Sequence, residues 1–322
     1  MKVKHNHVLF NLLFLLFWTC QNENTLEREI AKIDIDFTVE RFDEVLLNTD
    51  AEKLPKVKKT FPFLFPEDIA DSSWIERING DLQQQMFSEG KNVFEDFKVQ
   101  TEDIKRFFQH IKYYDKTFKL PRVITVADYV DYRNKLVLQG DLLIINMMNY
   151  LGQDHEFYQN TPVYFAERMR PDQILPEIAE KYANRYQYQS QRKTFLDEII
   201  YHGKLLYFKD IMIPEFNDTD KIGYTIGDMK WANENESQIW SYFVEKELLF
   251  STNPKLFTRF TVPAPFSKFY LELDNESPGR LGQYIGWQIV RAYAKQTDVD
   301  IITLMRTDSE EIFKKSKYKP KR

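Results

Sequence analysis

Apolar and polar positions along this chain follow two different periods, and the changes of period mark out its parts. Ile33-Asp34-Ile35-Asp36-Phe37 alternates like a short strand, and Thr38 then reads as the cap of an apolar-periodic helix through Leu47. Pro55, Pro62 and Pro66 bracket Phe61, Phe63, Leu64 and Phe65, a stiff aromatic loop expected to pack over a core edge. Helical spacing predicts helices over 67–88, 91–98 and 101–114, so the first part of the fold is a helical layer. Runs rich in β-branched residues and leucine at 122–127 and 135–147, the second interrupted by Gln139-Gly140-Asp141, predict the sheet.

Helical period returns after Pro171, which opens a helix to about 188; a second is expected from about Ser190 to 208 and a third from Asp228 to 251. A proline-rich loop at 262–266 leads to an expected short strand at 269–271. The strongest pattern lies over 282–295, where Ile285, Ile289 and Ala292 or Tyr293 share one face. The run 301–305 reads as a final strand, and the basic tail from Lys314 reads as a solvated end.

The N-terminal pattern is of another kind. Lys2 and Lys4 precede an apolar run from Val8 to Trp18, broken only by Asn11, which ends at Thr19-Cys20 before polar Gln21-Asn22-Glu23-Asn24. These 11 apolar-run residues fall short of the roughly 20 that span a bilayer. The plan is that of a signal peptide over 1–19, with Cys20 placed as the lipidated residue of a bacterial lipobox and 20–32 as the linker. Phe17 and Thr19 stand where a lipobox usually has leucine and a small residue. A diacylated cysteine would anchor the chain firmly, which a single short acyl chain would not.

Composition narrows the classes. The chain has 322 residues, 43% hydrophobic and 29% charged, which excludes a collagen, a disordered chain and a polytopic membrane protein. A single cysteine leaves no internal disulfide and no thiolate zinc site, and no cofactor is expected. The formal charge of −5 hides a division: residues 21–313 hold 36 basic against 49 acidic residues, an excess that disfavours nucleic acid as a partner.

Candidate chemistry is sparse. His110, His155 and His202 alone lie beyond the signal segment. The one suggestive window is Asp197-Glu198-Ile199-Ile200-Tyr201-His202, inside an expected helix. In an HExxH site two imidazoles four residues apart hold one metal while the glutamate between them polarises its water. Here Asp197 and Tyr201 take the imidazole positions and Glu198 keeps the base position, which is a zincin frame without its ligands. Glu198 and His202, also four apart, with Glu236 as a third donor, form the alternative metal set; such pairs are common on exposed helix faces. His155 sits in the polar run Gly152-Gln153-Asp154-His155-Glu156 and reads as a surface residue or a loop hydrogen-bonding group. Neither a phosphate loop around Gly203-Lys204 nor a Gly-x-Ser-x-Gly elbow is present.

Several blocks carry a family likeness: 196–208, Trp231-Ala232-Asn233-Glu234-Asn235-Glu236-Ser237-Gln238-Ile239-Trp240, Ala264-Pro265-Phe266, and Ser277-Pro278-Gly279-Arg280-Leu281-Gly282-Gln283-Tyr284-Ile285-Gly286-Trp287, with Tyr150-Leu151-Gly152 and Tyr158. Together they resemble the gliding-motility lipoprotein GldB family of Bacteroidetes over about 33–306. The resemblance implies a cell-envelope lipoprotein needed for gliding, associated with type IX secretion and distantly similar to HExxH zinc proteases. It places Glu236 near the third ligand of an active relative. The expected fold is α+β, mostly helical with a small mixed sheet and a degenerate zincin-like architecture, as one domain over 33–308 followed by a basic tail over 309–322. The expected role is non-catalytic, with the membrane, through the lipid anchor, and other gliding or secretion components as partners. A divergent zinc-dependent hydrolase is the alternative, and a binding module whose helical and aromatic surfaces recognise an exported protein or a glycan is a third reading.

Overall fold

The computed structural model of the chain describes residues 25–271 and 274–321, so Cys20 and the signal segment lie outside the described residues. Helices dominate, around one four-stranded sheet: β1 (Val39–Arg41), β2 (Arg122–Val126), β3 (Leu136–Gln139) and β4 (Leu142–Asn146). Spatial order is β1-β2-β4-β3. β1 runs parallel to β2 (Val39 opposite Val123), and β2 runs parallel to β4 (Ile124 opposite Ile144). β3 returns antiparallel on the outer edge of β4. The hairpin turn needs a positive φ at its first central residue, which Gly140 supplies at 58°. The fold is therefore α+β, mostly helical with a small mixed sheet, as expected, and the runs at 122–127 and 135–147 form three of its strands.

Two apolar cores lie on either side of the Phe195–Met212 helix. Its Leu205, Phe208 and Met212 join the sheet and the helices Asp81–Phe94, Lys98–Tyr114 and Ile174–Tyr186. Its Phe195, Leu196, Ile199 and Ile200 join the helices Ile226–Glu234, Glu236–Glu245 and Leu281–Gln296. A helix buried on both sides must be apolar nearly all round, which is why its sequence shows little amphipathic contrast. Glycine sets how closely it meets Leu281–Gln296. A Cβ on Gly286 would overlap the carbonyl oxygen of Ile199, and one on Gly203 would lie 2.8 Å from the backbone nitrogen of Trp287.

Where the elements depart from the sequence reading, a local hydrogen bond or a broken period explains it. The strand expected at 33–37 forms later, at Val39–Arg41, and the following helix spans Phe42–Leu47 with no side-chain cap from Thr38. The helices expected at 67–88 and 91–98 are instead Asp71–Asn79 and Asp81–Phe94, divided by an extended Gly80, while Phe97 in the left-handed region starts Lys98–Tyr114. The helix expected over 228–251 begins earlier, at a capping box in which Thr225 and Asp228 bond each other's backbone nitrogens, and divides at Asn235. No strand forms at 269–271, because the Asp274 carboxylate accepts the backbone N–H groups of Phe269, Tyr270 and Leu271 at 2.8–3.2 Å.

The run 301–305 is helical, not extended: Asp300 caps it by accepting from the Thr303 nitrogen at 3.0 Å. The tail is not a frayed end either. Ser309–Ser316 is a helix whose Ile312 is fully buried, and Tyr318 beyond it packs on Trp240. No helix among the described residues is long and apolar enough to cross a membrane.

Candidate functional site

The window 197–202 occupies the first turns of the Phe195–Met212 helix, and its residues go to three different places. Asp197 closes a capping box with Thr194, accepting from the Thr194 nitrogen at 3.0 Å and its hydroxyl at 2.8 Å. Arg192 adds a 2.9 Å contact from Nη2 and bridges on to Asp308. Burial works to raise the Asp197 carboxyl, but these bonds hold it below the usual carboxylate range. Glu198 and His202 meet one another at 3.3 Å on a partly exposed face. Tyr201 donates its hydroxyl to Asn184 Oδ1 at 2.7 Å across to the Ile174–Tyr186 helix, and burial raises its phenol.

Glu236 belongs to another network. It is 2% exposed and accepts from the Tyr284 hydroxyl at 2.9 Å, the Tyr318 hydroxyl at 2.8 Å and the Lys321 nitrogen at 3.1 Å. The alternative set of Glu198, His202 and Glu236 is thus split. Among the described residues no group of three or more His, Cys, Asp or Glu side chains is arranged to hold a metal ion. His155 acts as a loop hydrogen-bonding group: its Nδ1 accepts from the Phe157 nitrogen at 3.2 Å in a short helical turn. His110 is buried, which lowers its imidazole, and its Nδ1 lies 3.1 Å from the Ile211 carbonyl.

Beside Tyr201 and Asn184 opens a cavity of about 370 Å³, walled by the Ile174–Tyr186 helix, the start of β3 and the segment 163–170. Its floor is a charge network. The Glu177 carboxylate bonds Lys135 Nζ, accepts the Tyr150 hydroxyl at 2.7 Å and lies 3.4 Å from Arg168 Nη2. Glu180 meets the fully buried Lys209 at 2.8 Å. Burial pushes the Lys135 and Lys209 ammoniums down, against the pull of Glu177 and Glu180. Burial acts on Glu180 in the opposite sense, but Lys209, Arg168 and His202 together hold its carboxyl low. Tyr132 and Phe165 form an aromatic wall, their rings 4.6 Å apart.

A profile of the gliding motility protein GldB family matches residues 23–320, nearly the whole chain. The chain belongs to that family. No curated protein and no solved structure is significantly similar to it. The blocks quoted for the resemblance now have structural places. Tyr150 reaches Glu177 beneath the cavity, and Tyr158 orders the loop above it by donating to the Met148 carbonyl and accepting from the Leu151 nitrogen, both at 2.8 Å. The 277–287 block supplies the glycine crossing and Tyr284.

Sequence reasoning missed the residues that build the cavity floor of this GldB-family chain. Lys135, Arg168 and the two glutamates come from three separate stretches, and Glu177 and Glu180 sit three apart on one helix, a spacing equally typical of a solvated helix face. One signal is Lys209, a buried cation among Leu205, Leu206, Phe208 and Met212 of that helix.

Proposed function

We propose that this chain is a non-catalytic lipoprotein of the cell envelope, anchored in a membrane through Cys20, that serves gliding motility within an assembly associated with type IX secretion. Its domain faces the periplasm and is a degenerate zincin-like fold. A mostly parallel sheet with an antiparallel edge strand, lying beside a cleft reached by the helix that carries the 197–202 frame, supports that architecture.

The observation that carries the non-catalytic reading is the commitment of both imidazole positions to other work. Asp197 caps its helix and pairs with Arg192, and Tyr201 spans to Asn184. A catalytic zinc normally takes three protein ligands and leaves a position open for water. The competing reading, a zinc-dependent hydrolase using Glu198, His202 and Glu236, would require Glu236 to leave Tyr284, Tyr318 and Lys321. Such a set would also offer zinc one nitrogen only.

Glu198→Gln, introduced into gliding cells, is expected to leave motility and protein level unchanged. Loss of gliding by a folded, normally abundant variant, or stoichiometric zinc held through His202 in the purified chain, overturns the reading. Cys20→Ser is expected to move the protein out of the membrane fraction, and retention there overturns the anchor.

A further inference from the structure

Two arginines meet at Gly223 with fewer acidic partners than their burial calls for. Arg280 is 8% exposed, sits in the left-handed region at φ 60°, and comes from the 277–287 block. Its Nη1 and Nη2 donate to the carbonyls of Ile222 and Gly223 at 2.6 and 2.9 Å, and its guanidinium lies over the Tyr224 ring. Those bonds cap a short helix end but neutralise nothing. Among the described residues no carboxylate forms an ion pair with Arg280, and Glu167, Glu180 and Asp228 act on it only at longer range.

Arg168 lies on the other side of the same glycine, its Nε 2.7 Å from where a Gly223 Cβ would stand. That Nε is buried with no hydrogen-bond partner, and the group's one ion pair is the 3.4 Å approach to Glu177, which already serves Lys135 and Tyr150. Burial, and then the Arg168 charge, push the Arg280 guanidinium down to about 10. A buried cation without an anion is costly, and an anion supplied from outside would relieve it.

There is room for one. Arg168 lines the cavity of about 370 Å³, Arg280 lines a smaller one of about 170 Å³, and Pro263 borders both. We propose that these neighbouring cavities hold a carboxylate of a polypeptide ligand between Arg168 and Arg280. An Asp or Glu side chain and a free chain end supply the same chemistry. The surroundings favour a polypeptide over a polyanion or a phosphate. Glu167 and Asp228 also line the smaller cavity, where they would repel a second negative charge and accept backbone N–H groups. Val163 there is 72% exposed and suits an aliphatic side chain. This deepens the non-catalytic reading given above and rests on it.

The test uses the full chain in detergent and fluorescence anisotropy with synthetic decapeptide pools. One pool has free C-termini and no Asp or Glu, a second is amidated and contains Glu, and a third is amidated without either acid. The first or second pool is expected to bind at least tenfold tighter than the third, and which of the two does so separates chain end from side chain. Arg168→Gln is expected to remove that preference, Arg168→Lys to restore part of it, and Lys181→Glu on the exposed rim to weaken binding severalfold without disturbing the fold. Equal binding of all three pools, or preferential binding of oligogalacturonate or inorganic phosphate, overturns the proposal. A pool that is bound and then cut leaves this inference standing and overturns the non-catalytic reading. Pools neither bound nor cut overturn the inference alone.

Discussion

The Phe195–Met212 helix meets its two main helical neighbours in opposite ways. Against Leu281–Gln296 it closes backbone to backbone, Gly203 facing Gly286, with no room for a methyl group. Against Ile174–Tyr186 its contacts include Tyr201 with Asn184, Lys209 with Glu180 and the Tyr201 carbonyl with Gln187, and a cavity opens beside them. The first contact is dry and tolerates no added atom. The second adds to its apolar packing, Phe208 stacked on Tyr186, charges and hydroxyls that can exchange partners. Close packing on one side fixes the helix, so the polar side can keep an open space without letting the helix move.

The dry side should break first and hardest. Trp287 is fully buried beside the glycine crossing, donates Nε1–H to Asp210 at 2.9 Å and lies 3.7 Å beneath the Arg291 guanidinium. Trp287→Ala is expected to cost about 3–5 kcal/mol in urea denaturation. Wild-type stability in that variant would show the crossing to be dispensable. Gly286→Ala comes next. The added Cβ meets the backbone of Ile199, whose Cα would be 3.2 Å away, and backbone cannot swing aside like a side chain. The expected loss is about 3 kcal/mol, the upper end for overpacking.

How much of this contrast the sequence reveals follows from how each side is built. The dry side is legible: an apolar stripe over 282–295 predicts a helix that forms at Leu281–Gln296, and Gly286 beside Trp287 signals a close neighbour. The sheet is legible for the same reason, since β-branched runs around Gly140 permit few other readings. The C-terminal pair of helices is not. Ile301-Ile302-Thr303-Leu304-Met305 is too short for period to separate strand from helix, and the deciding fact is the bond from Asp300 to Thr303. The 197–202 frame is legible as residues but not as roles, because Asp197 serves the helix cap and Glu236 two tyrosines from separate segments, Tyr284 and Tyr318. Least legible is the cavity, whose charges come from three separate stretches and gain meaning only when brought together.

Lys204, one residue past the crossing glycine, sharpens the comparison through pH. It is 1% exposed and donates to the carbonyls of Met305 and Thr307 at 3.2 and 2.6 Å, with no carboxylate in contact. Burial pushes its ammonium down to about 8 from an ordinary 10.5. Below about pH 8 the lysine is charged in both states and its full desolvation cost is present. Between about 8 and 10.5 the unfolded chain holds a proton that the folded one has released, so this group makes stability rise with pH across that window. The difference between wild type and Lys204→Met should therefore shift toward wild type by roughly 2–3 kcal/mol as pH climbs. A pH-independent difference would mean that water reaches the ammonium and that this part of the dry side is wet.

The smallest effect is expected at the open face. Glu198 and His202 sit 3.3 Å apart as an i,i+4 pair, with side chains 26% and 23% exposed. A pair of that kind contributes a few tenths of a kcal/mol, because solvent screens the charges and two side chains must be held in place. Glu198→Gln keeps the shape and can still bond the imidazole, so its unfolding midpoint in urea should match wild type within error. That near-silence separates the two sides of the helix more sharply than the losses do. If Glu198→Gln instead cost 2 kcal/mol or more, on the scale of a buried charged hydrogen bond, the carboxylate would be a structural partner of the cavity wall. The line between the packed face and the open face would then run one turn further along the helix, through Glu198 itself.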